Sequence, residues 1–289
     1  MMKLPETDLD PGLTQDIEAL ARTFTSVSAA EAAALTGDIA TPLQKNRLWL
    51  DFCELVTATV GRAGYIVVRG LEPDEGRSLL IVSSALGSTF DSYQPGQIVK
   101  RFRMSPWTHE LSHTTRAGDF HTDGNVSAVP PLSTAMQCEE EDPGAPEFAE
   151  QRVAYLPDLL ARLGSGNSRE ADALAFLTER EAVMAHERSP SVWRGRLVQN
   201  GSIRYHPHSL RIAQKRLGGQ PADLEAMIGA IHDAAMEVSV PFHTRPGDTV
   251  LVSNRTALHY RGACSVRFTR FPAEFESRSL FVLHMKESE

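Results

Sequence analysis

The stretch Gly118-Asp119-Phe120-His121-Thr122-Asp123-Gly124-Asn125 places an imidazole and a carboxylate two positions apart. In an extended strand, side chains at i and i+2 leave the same face, so His121 and Asp123 converge without any distortion of the backbone. That pair suits one divalent metal. Two imidazoles and one carboxylate make the facial triad of a non-haem Fe(II) centre, which leaves open positions for a co-substrate and oxygen. A second histidine must then arrive from elsewhere, and His259 is the best candidate. A His-x-Asp triplet alone occurs by chance in many chains, so its context carries the argument. Gly124-Asn125 supplies a turn signal behind it, and Arg245-Pro-Gly-Asp-Thr-Val-Leu-Val-Ser-Asn254 gives a turn and a strand leading to His259. His206 and His208 form a rival His-x-His pair, ranked lower because no carboxylate stands near and Pro207 interrupts the ladder.

His121, Asp123, Pro246-Gly247-Asp248, Asn254-Arg255, His259 and a later arginine follow the order of motifs in one known family. The chain resembles the taurine dioxygenase and clavaminate synthase-like Fe(II)/2-oxoglutarate-dependent oxygenases. Gly64-Tyr-Ile-Val-Val-Arg-Gly70 and Tyr155-Leu-Pro-Asp-Leu-Leu160 extend the resemblance from about residue 40 to the C-terminus. It implies an α+β fold, a double-stranded β-helix (a jelly-roll, cupin-like core) flanked by helices. It also implies Fe(II), 2-oxoglutarate and O₂ as cofactor and co-substrates, with His121, Asp123 and His259 as the catalytic metal ligands. Hydroxylation of a small polar metabolite, such as an amino acid or a nucleoside-like compound, is the implied outcome; desaturation, cyclisation and epoxidation use the same oxidant. Halogenating relatives have Gly or Ala where Asp123 stands.

An arginine is needed for the distal carboxylate of 2-oxoglutarate, because a guanidinium pairs it bidentately. Arg270 has the spacing of one branch of the family and Arg278 that of the other, immediately before the last strand; we favour Arg278. The family's Gly-Gly-Asp-Thr turn is replaced by Gly144-Ala145-Pro146-Glu147, whose glutamate would repel the co-substrate, so Thr134 or Gln137 becomes the substitute contact. Some amino-acid-oxidising relatives keep a second arginine where Val282 stands here. A substrate carboxylate would then fall to Arg204 or Arg101, with Asn125, His206 and His208 as further substrate-binding candidates. A solvated hairpin is an equal reading of Arg204, His206 and His208.

The elements that must position these residues can be read in order. Residues 14–36 read as two short peripheral helices, capped by Thr14 and by Ser28 with Glu31. Thr41-Pro42 opens a longer helix with Leu48, Phe52, Leu55, Val56 and Thr59 on one stripe. Tyr65–Arg69 reads as a strand covered on both faces, Ser78–Leu86 as a helix, and Gln97–Met104 as a strand with Arg101 and Arg103 on one face. Trp107–Ala117 reads as a lid carrying His109 and His113. Ser133–Cys138 alternates as a strand, and Arg204, His206 and His208 share one strand face beyond an Asn200-Gly201 hairpin turn. Residues 155–180 read as helical with Ser168 as a cap, Pro221–Val238 as an amphipathic helix, 267–275 as a loop, and Ser279–Met285 as the final strand.

With 289 residues and 42% hydrophobic content, the chain supports one domain over 1–289, with 1–40 peripheral and about 150–240 an insertion covering the site. A net charge of −8 disfavours nucleic acid as a partner. No run of 18 apolar residues and no signal peptide stand in the chain, which points to no membrane partner and a cytoplasmic location. Cys53, Cys138 and Cys264 are expected to be buried free thiols. A small molecule is the expected partner, and a homo-oligomer stays open. The competing readings are a zinc-dependent hydrolase using the same ligands and a non-catalytic β-sheet binding protein.

Overall fold

A computed structural model describes residues 3–87, 89–218 and 221–287; the outermost positions of the 1–289 span lie outside the described residues. In chain order the strands are β1 (Glu6–Asp8), β2 (Tyr65–Arg69), β3 (Thr89–Phe90), β4 (Lys100–Arg103), β5 (Ser133–Glu140), β6 (Gln151–Tyr155), β7 (Glu181–Ala185), β8 (Val192–Arg196), β9 (Val198–Gln199), β10 (Ser202–Ile203), β11 (Thr249–Ser253), β12 (Ala257–Arg261), β13 (Val266–Arg270), β14 (Glu274–Ser277) and β15 (Ser279–Lys286). The helices are α1 (Pro11–Thr23), α2 (Val27–Leu35), α3 (Arg47–Ala63), α4 (Arg77–Ser83), α5 (Leu156–Gly164), α6 (Ser168–Thr178), α7 (Pro207–Leu217) and α8 (Leu224–Val238).

Two sheets face each other. The larger runs β1-β2-β11-β5-β15, with β3 and β4 both on β15. The smaller is built on the β12–β6 pair and extended by bridges from His121 to His259 and from Gln151 to Phe242. Between them lies an apolar filling that includes Tyr65, Val67, Val153, Phe242, Val250 and Val252. Helices α1–α4 cover the outer face of the large sheet, and α5, α6 and α8 cover the outer face of the small one through Phe120, Ala154, Phe176, Ile231 and Leu258. This is the expected rolled, jelly-roll type core with helical flanks, and each buried strand is covered on both faces as its continuous apolar run requires.

Several local expectations change. The N-terminal helices pack inward through Leu13, Ile17, Ala30 and Ala34, which belong to the largest buried cluster. Asp10 and Ser26 cap them, while Glu31 is buried and accepts the backbone N–H groups of Ile98 and Val99, both at 2.8 Å. In α3, Trp49 takes the inward position, so Leu48 and Leu55 turn to solvent. Asn167, not Ser168, caps α6, in a capping box with Glu170. Residues 267–275 form the β13–β14 hairpin, with Phe268 opposite Phe275, in place of a loop. The Asn200-Gly201 turn does join β9 to β10, with both residues at positive φ.

The Pro-Gly-Asp turn before β11 is tightly constrained. Gly247 has φ +89°, and a Cβ there would lie 1.7 Å from the carbonyl oxygen of Leu71. Asp248 accepts from the backbone N–H of Arg245 at 2.9 Å and pairs with Arg69, which ties the turn to β2.

Candidate active site

His121 precedes no regular strand of its own. Instead it pairs with His259 of β12 through two reciprocal backbone hydrogen bonds, His121 N–H to His259 C=O at 3.0 Å and His259 N–H to His121 C=O at 3.1 Å. That exchange sets the two imidazoles side by side, with ring centroids 4.3 Å apart. The Nδ1 of His121 lies 2.8 Å from the carbonyl oxygen of Asp119, which makes Nδ1 the protonated nitrogen and leaves the Nε2 lone pair free. Asp123 sits two residues on. Its carboxylate approaches His121 Nε2 at 3.8 Å and His259 Nε2 at 3.6 Å. Among the described residues, His121, Asp123 and His259 form the one group of three whose donor atoms can reach a common metal ion, all lying within 4.8 Å of one another.

Electrostatics favour this donor set. Burial pushes the Asp123 carboxyl upward, but His259, His284 and His121 outweigh it and hold the group well below the usual carboxylate range. Burial, assisted by the neighbouring His121, lowers His259 to about 4, so it stands neutral with a lone pair to offer. A carboxylate beside two imidazoles is the ligand chemistry of non-haem Fe(II), and three donors leave the remaining octahedral positions open.

These groups open into a cavity of about 470 Å³ between the sheets. Arg278, immediately before β15, lines its inner part; it is 2% exposed, its Nη2 has no hydrogen-bond partner, and no carboxylate pairs with it among the described residues. A buried cation without an anion is costly. Arg270 is excluded by its place: it is exposed on the outer hairpin and faces Glu274 at 3.7 Å. The two candidate arginines are thus separated by burial, where spacing left them in competition.

The remaining expected contacts divide. Thr134 lines the cavity and donates its hydroxyl to Asp123 Oδ2 at 2.6 Å, so it serves the carboxylate ligand. Gln137 lies on the opposite face of β5, where its amide donates to Ser78 Oγ at 3.1 Å and does not reach the cavity. Glu147 is exposed and away from the cavity, which removes the expected repulsion. Asn125 is on the cavity wall. Arg101 points outward to Glu139 at 2.5 Å, and Arg204 lies over the Trp193 ring and donates to Ser127 C=O at 2.9 Å; neither lines the cavity.

His206 and His208 do line the cavity, but not on one strand. The chain turns helical at Pro207, so His206 caps α7 by accepting the Ser209 N–H at 3.3 Å, while His208 lies within the helix. His206 packs edge-on to His121 with centroids 5.1 Å apart, and burial lowers its pKa to about 3. The rival metal pair therefore has no common focus. His109 and His113 also stay off the cavity, which is walled instead by Glu110, Leu111 and Ser112 of the same loop.

Sequence reasoning missed His284 and Tyr93. His284 Nε2 stands 3.4 Å from Asp123 Oδ2, and the Tyr93 ring lies 5.2 Å from the His284 ring. The signal for His284 was strand parity: Arg278, Leu280, Val282 and His284 alternate along β15, and all four line the cavity.

The model of the family "Taurine catabolism dioxygenase TauD, TfdA family" matches residues 34–270. The chain belongs to this family. It is a non-haem Fe(II), 2-oxoglutarate-dependent dioxygenase. The family match stops at Arg270, short of Arg278. Among solved structures, the chain resembles asparagine oxygenase in complex with Fe(II), 2S,3S-3-hydroxyasparagine and succinate, at 16% identity over 98% of this chain and 94% of that one, with a TM-score of 0.70. It also resembles the non-heme iron oxygenase OrfP with Fe and alpha-ketoglutaric acid, at 15% identity over 98% and 95%, with a TM-score of 0.69. A further OrfP complex, with Fe, succinate and (3R,4R)-dihydroxy-L-Arg, matches at 16% identity over 98% and 95%, again at 0.69. No curated protein matches the sequence. No described helix is long and apolar enough to cross a membrane.

Proposed function

We propose that His121, Asp123 and His259 hold the Fe(II), that Arg278 binds the distal carboxylate of 2-oxoglutarate, and that the enzyme hydroxylates an unactivated C–H bond of a small, amino-acid-like molecule. The observation that carries this reading is the unpaired, buried Arg278 in the same cavity as the three ligands. A dicarboxylate that could chelate a metal at one end and pair a guanidinium at the other would satisfy both.

Bound iron supplies O₂ activation, coupled to oxidative decarboxylation of 2-oxoglutarate to succinate. The chain supplies placement and a dry pocket. Asp119 orients His121, Thr134 holds Asp123, and Met136, Val250, Leu280 and Val282 present apolar surface to the same cavity. Asn125, His206 and His208 offer hydrogen bonds to the substrate from the cavity wall. The amino-acid class is supported by the hydroxyasparagine and dihydroxyarginine bound in the similar structures. With its cysteines free, a cytoplasmic location suits the enzyme.

The test is anaerobic reconstitution with Fe(II) and 2-oxoglutarate, followed by O₂ and a panel of amino acids and their derivatives. Substrate-dependent succinate and a product heavier by one oxygen atom are expected. Succinate formation that persists undiminished in Asp123→Ala would overturn the ligand assignment.

A further inference from the structure

His284 has no role in the family pattern, yet it stands against the metal carboxylate. The two oxygens of Asp123 have different surroundings. Oδ2 accepts the Thr134 hydroxyl at 2.6 Å, has His284 Nε2 at 3.4 Å and faces His259 Nε2 at 3.6 Å. Oδ1 is the oxygen that faces His121 Nε2, at 3.8 Å. Thr134 and His284 are directly opposite each other in the β5–β15 ladder, so they meet Oδ2 as one cross-strand pair. Both face the cavity, as do Met136, Leu280 and Val282 along the same two strands.

We propose that His284 is a positioning residue that, with Thr134, holds the Asp123 carboxylate in its orientation toward the two ligand imidazoles. Partners on one oxygen restrain rotation of the carboxylate, so its orientation toward His121 and His259 would be fixed before a metal is bound. The strand adds a second consequence. Arg278 immediately precedes β15 and His284 lies on it, six residues further on, about 20 Å of extended chain. One continuous segment therefore links the residue proposed to receive the far end of the co-substrate to the residue that positions the carboxylate at its near end. The Tyr93 ring packs against the His284 imidazole and limits its rotation.

This inference rests on the proposed metal ligands, and the experiment separates the two. Mn(II) or Fe(II) affinity is measured by anaerobic titration, and the visible charge-transfer band of the Fe(II)–2-oxoglutarate complex is recorded, for His121→Ala, His284→Leu, His284→Gln and Thr134→Val. His121→Ala is the control for the ligand set and should abolish metal binding. His284→Leu should weaken metal affinity about 10- to 100-fold and shift the band. His284→Gln, which keeps an N–H donor, should recover most of both, and Thr134→Val should reproduce the Leu phenotype at nearly constant volume. Failure of His121→Ala to affect binding overturns the ligand set. With that control intact, wild-type affinity and band in both His284→Leu and Thr134→Val overturn the positioning role, as does a Gln variant no better than Leu at equal thermal stability. If His284→Leu does not fold, the Thr134→Val and His284→Gln pair decides the matter.

Discussion

The side-chain amide of Asn254 closes a two-point clamp on the peptide of Asp123: its Oδ1 accepts the Asp123 N–H at 2.7 Å, and its Nδ2 donates to the Asp123 carbonyl at 3.0 Å. The same Nδ2 reaches Pro131 C=O at 3.0 Å, and Asn254 is buried. A residue at the end of β11 thereby fixes the backbone of a ligand 131 positions away in the chain. Asn254→Ala leaves buried backbone groups unsatisfied, at a cost of about 2–3 kcal/mol. Urea denaturation should register that loss, and Fe(II) affinity should fall with it.

Arg278 and Arg270 should part completely in kinetics. Loss of the bidentate charge-assisted pair is worth about 3 kcal/mol, so Arg278→Gln should raise the KM for 2-oxoglutarate roughly 100-fold. Arg270→Gln should leave it unchanged, because that guanidinium is exposed on the outer hairpin. In the absence of co-substrate, Arg278→Met should raise the melting temperature, since it removes a buried cation that has no anion.

Gly247→Ala tests the turn that launches β11. Its Cβ would collide with the backbone of Leu71, so the loss should be at least about 2 kcal/mol. Gly37 also has a positive φ, but a Cβ there meets nothing within 4 Å. Gly37→Ala should therefore cost only about 1 kcal/mol, the strain of the backbone conformation alone.

His206 makes the metal-free protein acid-sensitive. Its folded pKa of about 3 lies below its ordinary value of 6.5, so the unfolded chain binds the proton first as pH falls. Stability is whole above pH 6.5 and declines towards pH 3 by about 1.4 kcal/mol per unit for such a group. Denaturation curves across that range should be shallower in pH for His206→Gln. A pH dependence unchanged by the substitution would count against a buried neutral imidazole at this position.

Much of this enzyme was present in one dimension. His121, Asp123 and His259 stand in the sequence as ligand-type residues, legible together with Asn254 through the order of a known family's motifs, and Tyr65–Arg69 and Thr249–Ser253 read as covered strands because their apolar runs have no polar face to spare. Those signals are local or motif-like, and they survive without coordinates. The residues misassigned were those whose role depends on which neighbour arrives first. Arg270 and Arg278 compete as sequence, with Arg278 favoured; a hairpin turns the first out, and the second is buried just before β15. Arg101 and Arg204 were removed from the site by Glu139 and Trp193, and Gln137 by the parity of its strand. His284 was invisible because its partner, Asp123, is remote in the chain, and the register of β15 against β5 brings them together. Chemistry by type and spacing is written in the chain; pairing and burial are decided only when the two sheets close, because each is a property of two distant segments at once.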